Sequence, residues 1–131
     1  MLVRFVSAEI DYQSHVSEGI FCAGYKLLED SVLEDHDYEI LDDLFDWFNL
    51  NLNTPFSYRL RSPARAPRAI CWFKPTARTH LSRAWEMAGI LERNDVPIRL
   101  IKTSTPGYVL YEDWYQVLAE PFADLRRALK R

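Results

Sequence analysis

The sequence predicts an α+β fold: a two-layer sandwich of three main helices on a mixed sheet of four or five strands. Two observations lead there. Segments rich in β-branched and aromatic residues alternate with segments whose apolar residues recur at helical spacing. Their order is strand, helix, helix, strand, helix, strand, strand, strand. The middle strand–helix–strand unit then closes as a right-handed β-α-β crossover, and the last three strands form an antiparallel meander. A chain of 131 residues with 48% apolar and 14% aromatic content suits one core. Residues 1–131 are therefore read as a single domain, with 122–131 as a basic tail, helical or frayed.

Leu2–Ile10 opens with apolar, β-branched and aromatic side chains and reads as a strand. Ser17 reads as the N-cap of the first helix, with Glu18 in its first turn and Val16 and Phe21 spaced for a hydrophobic staple. Val16, Ile20, Ala23, Leu27 and Leu28 carry that helix to about Leu28. Gly19 and Gly24 weaken it, each by about 1 kcal/mol against Ala, unless Gly24 marks close helix packing. Ser31 and Glu34 make a capping-box pattern for a second helix running to about Phe48. Its apolar stripe is Ile40, Leu41, Leu44, Phe45 and Phe48, and Thr54-Pro55 ends it.

Residues 57–68 contain two Pro and four Arg and read as an exposed loop. The unbroken apolar run Ala69–Phe73 suits a buried central strand. Pro75 is placed to open the third helix, on which Ala77, Leu81, Ala84, Ala88 and Leu91 form the clearest helical stripe in the chain. Asn94 is its C-cap. Pro97–Lys102 alternates as a strand, and Thr105–Tyr108 is a type II turn centred on Pro106 and Gly107. Tyr108–Tyr111 and Trp114–Ala119 are the final strands.

The net charge of −3 conceals a segregation: residues 1–56 carry −10, residues 57–105 carry +7, and the remainder is neutral. Nine acids fall between Glu29 and Asp46. Of these, Glu39, Asp42, Asp43 and Asp46 line one side of the second helix and are the candidate face for a protein partner. The EF-hand pattern is not met, since the turn glycine and the closing Glu are missing. The basic segment offers a second candidate, an anion or nucleic-acid site built from Arg59, Arg61, Arg65, Arg68, Lys74, Thr76 and Arg78. Cations at a helix N-terminus oppose the macrodipole, which an anion on the backbone amides would relieve. A carboxylate of the same chain, from the acidic second helix, would serve equally. No Gly-rich loop accompanies the segment, so neither a P-loop nor a dinucleotide fingerprint is present.

Cys71 and His80 are the only nucleophile and base candidates, and no third group is placed to orient them. The three His share no zinc-ligand spacing with either Cys. Tyr108, Tyr111, Trp114 and Tyr115 are expected to pack as core or beneath the helices and tail. No apolar run is long enough to span a bilayer, and the N-terminal stretch does not resemble a signal peptide. The sequence thus points first to a small cytoplasmic, non-enzymatic binding or adaptor protein acting through a protein partner, without cofactor or metal. Recognition of a phosphate-containing ligand or nucleic acid comes second, and a homo-oligomer is compatible with either.

Overall fold

The computed structural model describes residues 1–10, 16–30, 33–54 and 69–122. The segment 57–68, with its four arginines, Ser31 and the tail beyond Phe122 lie outside the described residues. The N-cap of the second helix is Glu34, without a side-chain cap, so the capping box expected from Ser31 is not the start of that helix. Among the described residues three helices, α1 (Ile20–Glu29), α2 (Asp35–Asn51) and α3 (Arg78–Arg93), pack against a six-stranded sheet. Its strands are β1 (Leu2–Ile10), β2 (Ser17–Gly19), β3 (Ile70–Phe73), β4 (Arg99–Thr103), β5 (Tyr108–Glu112) and β6 (Gln116–Glu120). The chain therefore forms the expected α+β sandwich. None of its described helices is long and apolar enough to cross a membrane.

The sheet departs from expectation in its pairing. Every neighbouring pair is antiparallel, and the strands number six rather than four or five. Val3 of β1 faces Phe73 of β3 on one edge and Lys102 of β4 on the other. β3 and β4 thus run parallel to each other with β1 inserted between them. The β3–α3–β4 crossover exists, but it spans a strand. The reason lies in β1, whose Val3–Ser7 run is buried throughout and needs a neighbour on each edge. The meander is likewise divided: β5 and β6 form a hairpin at one end of the strand order, while β4 lies beside β1.

The order β4–β1–β3–β6–β5 puts β4 and β5 four strand spacings apart, about 19 Å in a flat sheet. The link between Thr103 and Tyr108 holds four residues and reaches about 17 Å when fully extended. The sheet therefore coils. Val3, Phe5 and Phe73 join the helices in one core, while Ile70, Trp72 and Val16, with Leu2 and Ile101 against them, make a second. Gly107 closes the connection at φ 123°, and a Cβ there would lie 2.1 Å from the Glu120 carbonyl oxygen, so only glycine fits.

Of the helices, α2 buries Leu41, Leu44, Phe45 and Phe48 of its expected stripe and α3 buries Ala84, Ala88 and Leu91, while Ile40 and Leu81 are half-buried at the edge of the core. α1 starts later than expected. Ser17 and Glu18 belong to β2, Gly19 is the N-cap, and no side chain caps the helix. The staple is absent as well, since Val16 lies in the second core while Phe21 packs against the first. α2 runs on to Asn51, beyond its expected end. α3 begins at Arg78 rather than Pro75, and Asn94 is its C-cap as expected.

Candidate functional site

The β5–β6 turn is held by one carboxylate. Asp113 Oδ1 accepts the amides of Tyr115 (2.8 Å) and Gln116 (3.0 Å), and Oδ2 accepts the Tyr111 hydroxyl (3.0 Å) and Gln116 Nε2 (3.2 Å). Burial pushes the Asp113 carboxyl up, but these four donors outweigh it and leave it below its ordinary range. Gln116 is buried and joins three elements. Its Nε2 also donates to the Asn53 carbonyl (2.7 Å), and its Oε1 accepts the Cys71 thiol (3.3 Å). Asn53 Nδ2 in turn donates to the Tyr111 hydroxyl (3.1 Å). The end of α2, β3 and the hairpin are thereby locked together.

His80 and Cys71 are absorbed by this framework. His80 is buried, with Nε2 2.8 Å from the Asn51 carbonyl oxygen and its ring stacked on Tyr115 at 4.3 Å. Burial pushes the Cys71 thiol up to about 12, the reverse of what a nucleophile needs.

The rings on this hairpin correct the sequence expectation. Tyr108 is 65% exposed and Trp114 84%, and Tyr115 is exposed as well. Val109, at 52%, Leu110 and Phe122 are exposed too, and the Phe122 ring meets that of Tyr108 at 4.5 Å. β5 also ends the strand order, so its outer backbone groups have no strand beside them among the described residues. Of these rings Tyr108 lies on β5 and Trp114 and Tyr115 on the turn that follows it, with one face of Tyr115 against His80 of α3.

The acidic candidates fall together. Glu39, Asp42, Asp43 and Asp46 are all exposed on α2, and none makes an ion pair among the described residues. The neighbouring Asp37 is different: hydrogen bonds from Arg93 (2.9 Å) and Asn94 (3.2 Å) hold its carboxyl below the ordinary range and tie α2 to α3.

The basic candidates divide. Arg59, Arg61, Arg65 and Arg68 lie outside the described residues. Lys74 Nζ sits 2.7 Å from Glu112, so its counter-charge comes from β5 and not from α2. Thr76 and Arg78 are exposed. The amides of Ala77 and Arg78 donate to the Lys74 and Thr76 carbonyls (3.0 and 2.9 Å), closing the turn that precedes α3.

One polar cluster was not anticipated. Glu18, 2% exposed, accepts the Ser7 hydroxyl (3.0 Å) and the Cys22 thiol (3.5 Å) and pairs with the Lys26 ammonium. That hydrogen bond from Lys26 to Glu18 raises the Lys26 pKa against a smaller effect of burial. The cluster forms one wall of a cleft of about 240 Å³ that Glu9, Asp30 and Asp95 also line. Its local signal was slight, because Ser7 is eleven residues from Glu18 and on another strand. No group of three or more metal-ligating side chains forms among the described residues. In comparisons with protein-family models, curated proteins and solved structures, nothing matched the chain.

Proposed function

We propose that the protein is a non-enzymatic binding module that acts through a protein partner, engaged at the β5–β6 hairpin. The observation that carries this reading is Trp114, 84% exposed on a turn fixed by the four hydrogen bonds to Asp113. A large apolar ring in water gains by burial, and a rigid turn loses little freedom when a partner closes over it. Tryptophan and tyrosine anchors of this kind carry much of the energy in protein interfaces. The exposed apolar side chains of Tyr108, Val109, Leu110 and Phe122 add to it, and the outer edge of β5, which has no strand beside it among the described residues, offers backbone pairing. Two cysteines outside any disulfide fit a cytoplasmic setting.

Photo-crosslinking in cells tests the reading, with a photoreactive residue at Val109 and, as control, at the exposed Glu92 of α3. A discrete adduct from position 109 that disappears in a Trp114→Ser background is expected. The same adducts from both positions, or adducts indifferent to Trp114, would refute it.

A further inference from the structure

Resting on the hairpin as a docking surface, three features of α2 bear on what docks there. Glu39, Asp43, Asp46 and Leu50 follow the spacing i, i+4, i+7, i+11 and make one ridge away from the buried Leu41, Phe45 and Phe48. All four are exposed, Leu50 at 85%. α2 also has no base in its last turn, so Asp46 adds to the negative end of the helix dipole instead of being offset there. Finally, that end of α2 is the one bonded to the hairpin. Asn53 meets Tyr111 and Gln116, and His80 bridges the Asn51 carbonyl to the Tyr115 ring. The ridge thus ends, at Leu50, near the end of α2 that is bonded to the hairpin. Arg83, on the flank, is engaged by Glu86 (3.4 Å) and by the Trp47 ring.

We infer that the α2 ridge and the hairpin together take a cationic amphipathic segment of a partner protein, with Lys or Arg side chains over the ridge and apolar side chains against Leu50, Trp114 and Tyr115. Charge complementarity selects the occupant. An acidic or neutral segment would leave the ridge uncompensated, while a base satisfies the carboxylates and the helix end together. Bases at the margin also meet the open faces of Trp114 and Tyr115, where a cation is attracted to the ring.

The probe is a labelled synthetic peptide of Leu and Lys at helical spacing, about 18 residues long so that it can form a helix. Its counterpart carries Glu in place of every Lys. Fluorescence anisotropy with the full chain should show the Lys peptide binding at least about tenfold more tightly than the Glu peptide. Reversing the ridge, Asp43→Lys/Asp46→Lys, should weaken it by about tenfold or more, and Trp114→Ser should weaken it too. Reversing Glu29 on α1 and Glu92 on α3, both exposed and in no ion pair among the described residues, is an equal change in net charge and should not. Matching melting curves show that each variant is folded.

No binding of either peptide, equal binding of both, or equal effects of the ridge and control reversals would overturn the inference while leaving the Val109 crosslink standing. Ridge-dependent binding that ignores Trp114, together with crosslinks that ignore it, would overturn the hairpin reading and with it this inference. A dimer in sedimentation that the ridge reversal dissolves would make a second copy the occupant and would also overturn it.

Discussion

Replacing Gly24 with Ala should destabilise the protein although Ala is the better helix former. Propensity alone favours the change by about 1 kcal/mol in a helix interior. A Cβ at position 24, however, would lie 2.8 Å from Phe45 Cζ, 3.1 Å from Cε2 and 3.6 Å from Met87 Sδ. Carbon atoms settle at about 3.5–4.0 Å, so the ring must retreat by about 1 Å. It has little room, because Phe45 is buried, stacked on Tyr25 at 4.1 Å and tilted against Phe21 at 6.2 Å. Overpacking of this sort costs about 1–3 kcal/mol, which outweighs the propensity gain and leaves a net loss of about 1 kcal/mol. Urea unfolding should show a lower midpoint at an unchanged slope. In a Phe45→Leu background the clash is relieved, and Gly24→Ala should then stabilise, so that the two changes couple. Stabilisation by about 1 kcal/mol in both backgrounds would show that the α1–α2 contact is looser than described and would refute the reasoning.

Three further outcomes are expected. Because the Asp113 carboxyl is held below its ordinary range in the folded state, it contributes stability above the unfolded value of about 3.9 and loses it as the pH falls through the folded one. Asp113→Asn should therefore be less stable than wild type at pH 7, with the gap narrowing below about pH 4 in pH-dependent melting; a constant gap would discount the carboxylate's charge. Glu18→Ala leaves the buried Ser7 hydroxyl without its acceptor and should cost about 2–4 kcal/mol in chemical denaturation, whereas Glu18→Gln keeps an acceptor and should cost less; equal costs would argue against the cluster. Iodoacetamide at neutral pH should label the exposed Cys22 long before Cys71, whose thiol burial pushes up to about 12, and mass spectrometry of a time course would expose the opposite order.

What could be read from the sequence was what local spacing encodes. The stripes of α2 and α3 emerged because burial of one helix face repeats every three or four residues. β3 stood out because a strand with a neighbour on each edge, here β1 and β6, can be apolar throughout. β2 escaped because Ser17, Glu18 and Gly19 are a good helix start by local chemistry. Glu18 is drawn inward instead, by a hydroxyl on β1, and Arg4 reaches the Ser17 carbonyl at 2.8 Å. The strand order escaped for the same reason, since pairing β1 with β4 joins residues about a hundred positions apart that share no local signal. The acidic face was legible as charge at helical spacing. The display of Trp114 was not: the hydrogen bonds to Asp113 that hold its turn are local, but whether a turn residue is covered depends on which distant segments pack over it.

β1 bonds to β2, β3 and β4, and its alternating side chains enter both cores, Val3 and Phe5 on one side and Leu2 on the other. Opening that strand breaks the helix-covered core and the coiled core at once, so no partial unfolding that releases it is inexpensive. Amide protons of Val3 to Val6 should accordingly exchange with deuterium only through global unfolding. β5, at the far end of the sheet and paired with β6 alone among the described strands, can loosen while β1 stays closed. The molecule thus divides into a slow-exchanging keel and a faster-exchanging margin, and the margin is where the exposed aromatic surface lies.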